Sequence, residues 1–149
     1  MVLFTIGYER SSFEGFAETL VSAGVDVLID VRAQPHSRRR EFAFKHLGPG
    51  LAEHGIRYES WPVLGTPAAG REAAKRGDFE TFHRVFEDHL GTGEVRAALD
   101  RLVALSRDER VCLMCYEREP ERCHRLLIGE RLQVEAGVEV RDLFPPVGG

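Results

Sequence analysis

The regular alternation of short apolar runs with amphipathic segments is the feature that most constrains how this chain can fold. Residues 2–6 form an apolar run that ends at Gly7, which is typical of a buried first strand. A one-sided apolar stripe follows over residues 13–21 and predicts a helix that ends near Gly24. Residues 25–31 are rich in β-branched side chains and predict a second buried strand. These segments therefore predict a βαβ unit with a right-handed crossover.

Three local signals predict where the first half of the chain starts, breaks or loops. Ser11 and Glu14 have the spacing of a capping box at the start of the first helix. A Gly-Pro-Gly sequence at 48–50 predicts a break in the helical pattern of residues 41–54. The stretch 62–77 contains prolines and glycines but few large apolar residues, so it predicts a long loop, and such loops often serve as lids or binding loops.

The remaining segments continue the alternation, and no internal repeat or long linker interrupts them. Alternating strands and helices predict an α/β fold, a single three-layer domain over residues 1–149 with a mostly parallel sheet flanked by helices. The further predicted elements are a third strand after residues 55–58, a helix capped by Asp78, a helix with an apolar face over 95–103, a central strand at 111–115, a last helix from Pro120 to about Gly137, and a closing strand at 138–140.

The charge of the chain is acidic overall but basic in one segment. The sequence holds 20 Lys and Arg against 24 Asp and Glu, a net charge of −4, which argues against general binding to nucleic acid or to anionic membranes. Residues 32–45 contain five cations and one anion, which gives this segment a charge of +4. A local anion site is therefore compatible with the acidic whole.

The cysteine count and the apolar runs indicate a compartment. Three cysteines are an odd number, so a secreted scaffold held by disulfides is not expected. No apolar run is long enough to cross a membrane, and the N-terminal residues do not follow the pattern of a signal peptide. We expect a cytoplasmic protein without a membrane partner, and the sequence leaves its oligomeric state open.

Polar and basic side chains follow three predicted strands where those strands end. In parallel sheets ligands bind outside the carboxyl ends of the strands, so segments 7–10, 30–38 and 115–125 are expected to converge. Arginine side chains and the free N–H groups at a helix start bind anions well. An alternative is a solvated basic loop in which Arg32 pairs with Asp30 or another acid. The candidate anion-binding residues are Gly7, Arg32, Ser37, Arg38 and Arg125.

The last of these segments contains the candidate catalytic residues Cys115, Glu117, Cys123 and His124. Cys123 lies near the start of the last predicted helix, where the helix dipole lowers the pKa of a thiol. A structural alternative has His124 capping carbonyl groups and Glu117 pairing with Arg125.

The sequence contains two further cysteine patterns. Cys112 and Cys115 form a C-x-x-C sequence within a strand, so they face opposite sides and are not expected to share a disulfide or a metal. Cys112 is therefore expected to be a buried apolar residue. The C-x-E-x5-C-H sequence that starts at Cys115 offers zinc ligand types, but its spacing matches no metal-knuckle pattern. We accordingly predict neither a metal nor a cofactor.

Read in order, several segments resemble the domain of unknown function 488 family of small bacterial and archaeal proteins. The similarity covers about residues 3–141 and leaves 142–149 as a C-terminal tail. Two positions depart from the family pattern: Tyr8 stands where the family usually has His, and Thr66 replaces a second Gly, which we expect to alter that loop. The matching segments are 5–8, 28–32 with Pro35 and Ser37, 55–58 with 64–65, and 113–117 with Pro120 and 123–125. The resemblance implies an α/β fold and a shared site of Arg32, Ser37, Cys115, Glu117, Cys123, His124 and Arg125.

Three functions are compatible with these residues. The first is an enzyme acting on a phosphorylated or nucleotide-like anionic substrate, in which Glu117 or His124 moves protons and Cys115 or Cys123 is the nucleophile. The second is a non-catalytic module that binds nucleic acid or a nucleotide through the same basic segment. The third is rhodanese-like sulfur transfer, although the C-x5-R pattern of such enzymes would require arginine where Glu121 stands. The expected partner is thus a small anionic or nucleotide-like ligand, with nucleic acid as the alternative.

Overall fold

Five parallel strands form one sheet in the computed structural model, which describes residues 1–148. In chain order the strands are β1 (Val2–Gly7), β2 (Val27–Asp30), β3 (Arg57–Ser60), β4 (Val111–Cys115) and β5 (Glu139–Leu143). The helices are α1 (Phe13–Ser22), α2 (Phe44–Ala52), α3 (Ala68–Lys75), α4 (Phe79–Leu90), α5 (Gly93–Asp108) and α6 (His124–Ala136). The sheet order is β3-β2-β4-β1-β5, so β4 is central as predicted. The predicted α/β fold is confirmed, with every strand pair parallel.

The side chains of β4 show how the sheet separates two apolar layers. Cys112 and Met114 pack with buried residues of α1 and α2, whereas Leu113 and Cys115 pack with those of α3 to α6. This alternation follows from the two-residue period of a strand, and it confirms that Cys112 and Cys115 face opposite sides. Cys112 is fully buried, as predicted, and burial raises the pKa of its thiol.

Helix α1 starts one residue later than the capping box predicted. Ser12, not Ser11, is the N-cap, and its hydroxyl accepts a hydrogen bond from the Gly15 N–H at 3.0 Å. The Ser11 hydroxyl instead donates to the Tyr8 carbonyl at 2.8 Å, because that carbonyl at the end of β1 lies within reach. The helix therefore begins where a free hydroxyl is available, and Ser11 fixes the turn before it.

The predicted break at residues 48–50 is wrong, because α2 continues through Pro49. Leu47 and Leu51 are fully buried on either side of it, and their burial holds the helix together. A Cβ at Gly50 would lie 2.8 Å from the Phe13 ring. The glycine thus makes room for an aromatic side chain and does not end the helix.

The predicted long loop at residues 62–77 is also wrong. A short 3-10 turn over Pro62–Leu64 is followed by helix α3. The buried face of α3 is made of Gly70 and Ala73, and a Cβ at Gly70 would lie 2.6 Å from the Thr66 side chain. Small residues allow this close packing, and they also hide the apolar period that identifies a helix in a sequence.

The second half of the chain follows the predicted order with one shift. Asp78 caps α4 by accepting from the Thr81 N–H at 3.1 Å, and hydrogen bonds from Thr81 lower the pKa of its carboxyl. Pro120 begins a separate 3-10 turn, so α6 starts only at His124, later than predicted. Gly137 ends α6 with a φ of 66°. Within residues 1–148 no helix has the length and apolar character needed to cross a membrane.

Candidate functional site

A cleft of about 560 Å³ opens at the carboxyl edge of the sheet. Tyr8 after β1, Arg32 after β2 and Cys115 at the end of β4 all line it, so the three predicted segments do converge. Helices α3 and α4 form the opposite side. This is the position at which ligands bind in open parallel sheets.

Arg32 is held by a buried network at the end of β2. Its Nε donates to Asp30 Oδ1 at 2.9 Å and its Nη2 to Asp30 Oδ2 at 2.7 Å, which makes a two-pronged ion pair. The other N–H groups reach the Tyr8 hydroxyl at 3.2 Å and the carbonyls of His36 and Phe42 at 3.3 and 2.9 Å. All five N–H groups of this guanidinium therefore have acceptors within the protein. The pairing of Arg32 with Asp30 that the alternative named is observed, but Arg32 is buried and does not lie in a solvated loop.

The ionisation of this network is fixed by its contacts. Burial alone would lower the pKa of Arg32, but the hydrogen bond and charge of Asp30 raise it above its usual value. The Tyr58 hydroxyl donates to Asp30 Oδ2 at 2.6 Å, and burial followed by the Asp30 charge raises its pKa. The guanidinium therefore stays charged and the phenol stays neutral, which suits a fixed support better than proton transfer.

Arg125 at the start of α6 is fully buried and supports the chain that follows β4. Its Nη1 donates to the Glu117 carbonyl at 2.6 Å and contacts Cys115 Sγ at 2.8 Å, and its Nη2 donates to the Arg118 carbonyl at 3.0 Å. Its Nε has no hydrogen-bond partner within residues 1–148. Burial lowers the pKa of this guanidinium. The structural alternative paired Arg125 with the Glu117 side chain, whereas the observed hydrogen bond runs to the Glu117 backbone carbonyl.

Cys115 and Cys123 are joined by a disulfide. Both sulfurs border the cleft, because β4 ends at Cys115 and Cys123 is the N-cap residue of α6. The sequence predicted the two residues as separate candidate nucleophiles and did not predict this pairing. In this form neither sulfur is a thiol, so nucleophilic chemistry by either requires that the disulfide be reduced first.

His124 is buried beside the disulfide with its proton in a fixed position. Its Nε2 lies 2.7 Å from the Val31 carbonyl, which can only accept, so Nε2 carries the proton. Burial lowers the pKa of His124 to about 4, and the ring is neutral at pH 7. Its unprotonated Nδ1 lies 3.6 Å from Cys123 Sγ. The hydrogen bond from His124 Nε2 to the Val31 carbonyl agrees with the structural alternative, in which His124 caps a carbonyl.

Glu117 presents the only carboxylate among the described residues that line the cleft. Its Oε2 lies 3.6 Å from Cys115 Sγ, and burial raises the pKa of its carboxyl. The ligand atoms of Cys115, Glu117 and Cys123 all lie within 4.8 Å of one another, close enough to hold a metal ion.

Three cations that are not among the predicted binding residues also line the cleft: Arg71, Lys75 and Arg122. Arg71 and Lys75 are one helical turn apart on α3, and Arg71 donates to the Thr66 carbonyl at 2.8 Å. Thr66, which departs from the family pattern, is buried there. The four-residue spacing of Arg71 and Lys75 was a usable signal, but it only has meaning once the segment is known to be a helix.

The other predicted anion-binding residues do not line the cleft. A Cβ at Gly7 would overlap the Glu117 carbonyl oxygen, so this glycine permits close contact between the ends of β1 and β4. The Ser37 hydroxyl accepts from the Arg39 N–H at 3.1 Å, and Arg38 is exposed. The anion-binding roles of Gly7, Ser37 and Arg38 stay predictions. In the structure, Gly7 and Ser37 shape the backbone around them.

Comparison with models of known protein families identifies a match. The family model described as Domain of unknown function DUF488 matches residues 12–132, a span that includes the cleft residues from Arg32 to His124. Neither a curated protein nor a solved structure matches the chain significantly. The family model spans most of the sequence, and the chain therefore belongs to the DUF488 family.

Proposed function

We propose that the protein is an enzyme that acts on a phosphorylated or nucleotide-like anionic substrate bound in the cleft. The observation that carries this proposal is the charge of the cleft. Three cationic side chains, Arg71, Lys75 and Arg122, line it against one carboxylate among the described lining residues, that of Glu117. Arg32 also lines it, but its charge is balanced by Asp30. Low-dielectric walls strengthen the attraction of such a cluster for an anion.

The binding groups in this proposal differ from those that the sequence suggested. The donors of Arg32 are already engaged by protein acceptors, so its part is to position the loop after β2. Arg122 and Lys75 are exposed, and the one acidic partner of Lys75 within residues 1–148 is Glu72, at 3.8 Å. These side chains can reorient towards a phosphate at little cost, because exposed ion pairs contribute little.

Two exposed aromatic side chains support a nucleotide-like substrate. Phe79 is 45% exposed and Tyr116 is 48% exposed, and both line the cleft. Large aromatic rings are usually buried, and an exposed ring beside cations offers a surface on which a base can stack. A ligand with a planar ring and a phosphate would use both features.

The reacting groups in this proposal are Cys115, Glu117 and Cys123, in the protein with a reduced cysteine pair. They form one group of sulfur and oxygen atoms on the wall of the cleft. His124 is not included, because its pKa of about 4 and its bond to the Val31 carbonyl make it a poor proton carrier at pH 7.

A turnover screen tests the proposal. Reduced protein is incubated with a mixture of nucleotides and phosphorylated metabolites, and mass spectrometry follows which compounds are consumed. We expect one class to be consumed by the wild type and by Cys112→Ala, and to be left intact by Cys115→Ser and Glu117→Gln. Consumption of no compound, together with salt-sensitive binding of DNA or RNA that survives Cys115→Ser, would instead support the non-catalytic binding module.

A further inference from the structure

Beyond binding an anion, the cleft wall has the composition and spacing of a metal centre. We propose that the reduced protein binds one zinc-class divalent ion through Cys115, Glu117 and Cys123. Two thiolates and a carboxylate are ligands that such an ion prefers. The inference deepens the proposed function and rests on it for the ion's role, but ion binding itself is measured separately.

The separation of the ligand atoms agrees with a shared ion. Zinc binds sulfur at about 2.3 Å and oxygen at about 2.0–2.2 Å, so the two atoms lie about 3.5 Å apart across a tetrahedral ion. Cys115 Sγ and Glu117 Oε2 are 3.6 Å apart. This pair is therefore already at the spacing that the ion requires.

The backbone positions of the two cysteines leave room for an ion between their sulfurs. Their Cα atoms are 7.2 Å apart, whereas disulfide-bonded pairs usually lie within about 4.4–6.8 Å. After reduction the sulfurs can separate to about 3.8 Å, the distance across a tetrahedral zinc ion, without a change of fold.

Surrounding groups hold these ligands in the way that supports of metal sites do. Arg125 donates to Cys115 Sγ at 2.8 Å, which favours the thiolate, and it also holds the Glu117 carbonyl at 2.6 Å. His124 is fixed by Val31, so that its Nδ1 lies beside Cys123 Sγ. Gly7 allows the Glu117 backbone to lie against the end of β1.

The three ligands face the cleft, so the remaining coordination position would open towards the bound anion. An ion with three protein ligands and one open position is typical of catalytic zinc sites, whereas structural sites are closed. The centre would therefore take a phosphate oxygen or a water molecule as its fourth ligand.

The metal site forms in two separate steps, reduction of the disulfide and binding of the ion. An added phosphine reduces the disulfide with two electrons and becomes its oxide with oxygen from water, which leaves two thiols on the protein. Binding of the ion then releases both thiol protons to the solvent. The disulfide and the ion therefore exclude each other.

The test is titration of metal-free, phosphine-reduced protein with Co²⁺, an optical probe for zinc sites, followed by Zn²⁺. We expect one ion per chain, a thiolate-to-cobalt absorption band, and displacement of Co²⁺ by Zn²⁺. Cys115→Ser, Cys123→Ser and Glu117→Gln should each weaken binding by more than about tenfold. Cys112→Ala and Glu18→Gln, an exposed acid on α1, are the matched controls and should bind as the wild type does.

A second measurement uses the wild type, so that it does not depend on whether the variants fold. Zn²⁺ should slow the alkylation of Cys115 and Cys123 in the reduced wild type. An absent thiolate band, undiminished binding by Cys115→Ser, or alkylation that Zn²⁺ leaves unchanged would overturn the proposal. If the reduced wild type binds a nucleoside monophosphate but no metal ion, the metal site is wrong and the proposed function stands. If it binds the metal ion but no nucleoside monophosphate, the proposed function is wrong.

Discussion

The cleft is bordered by two strand ends that each hold a buried arginine, and the two arginines differ in their partners. Arg32 after β2 faces the carboxylate of Asp30, and its pKa is raised. Arg125, which supports the end of β4, contacts two carbonyls and a sulfur, and burial lowers its pKa. One end is therefore neutralised and closed, whereas the other holds a partly satisfied charge beside the cysteine pair.

This difference indicates that the β2 end has a structural role and that the β4 end holds the groups available for chemistry. A buried charge with all its hydrogen bonds made gains nothing from a ligand, so the β2 end acts as a fixed support. At the β4 end, Arg125 Nε has no hydrogen-bond partner among the described residues, the pKa of the Glu117 carboxyl is raised, and two cysteines can be oxidised or reduced. Groups of this kind cluster at functional sites.

The largest expected effect is at the closed end. Arg32→Ala leaves the fully buried Asp30 carboxylate without its partner, and we expect it to lower the free energy of unfolding by about 3–5 kcal/mol. Arg57→Ala removes an exposed ion pair with Glu109 and should cost less than about 1 kcal/mol. Urea denaturation of both variants measures the difference, and equal losses would show that the network at β2 is not a special support.

A pH-dependent effect should come from His124 at the other end. Its pKa falls from 6.5 to about 4 on folding, so the neutral ring stabilises the fold above pH 6.5, and this stability is lost as the pH falls from 6.5 through 4. The loss amounts to at most about 3 kcal/mol. Glu117 opposes it, because its raised pKa lets the folded state take up a proton earlier.

Comparison of His124→Gln with the wild type isolates this contribution. Denaturation midpoints of the variant should change less between pH 6.5 and pH 4, since glutamine keeps a donor for Val31 and does not titrate. The exposed His83→Gln should keep the pH dependence of the wild type. A His124→Gln variant with an unaltered pH dependence would show that the buried ring is not what destabilises the fold in acid.

Of the two buried arginines, Arg125 is expected to show the smaller effect, in the variant Arg125→Met. This change frees two carbonyls and a sulfur but leaves no buried carboxylate unpaired, and it removes a charge that burial disfavours. We expect a loss of about 1–2 kcal/mol in thermal or urea denaturation. A loss as large as that of Arg32→Ala would mean that the two ends are equally closed, which would remove the distinction between them.

The sequence predicted the frame of the molecule well because strands and large amphipathic helices leave a clear period. It missed α3, whose buried face is Gly70 and Ala73, and it placed a break in α2 where Gly50 accommodates Phe13. In both cases tertiary packing, which a single sequence does not show, decided the local structure.

The location of the site could also be predicted from the sequence, but most of its side-chain contacts could not. Convergence at the carboxyl edge follows from topology alone, and the pairing of Arg32 with Asp30 was foreseen as one alternative. The partners of the remaining Arg32 donors come from Tyr8, His36 and Phe42, whose spacing along the chain carries no signal. The pairing of Cys115 with Cys123 depends on the 3-10 turn at Pro120–Arg122, and Arg71 joins the site only because its segment is helical.

The central claim is that the cleft binds a phosphorylated anion through the side chains of Arg71, Lys75 and Arg122. Calorimetric titration of a nucleoside monophosphate into reduced protein at low salt tests it most directly, with Arg71→Ala/Arg122→Ala as the altered cleft and Arg76→Ala/Arg84→Ala as an equal change of charge outside it. We predict binding by the wild type and the control, and a loss of about tenfold or more in the cleft variant. Equal affinity in all three proteins, or no binding at all, would contradict the account.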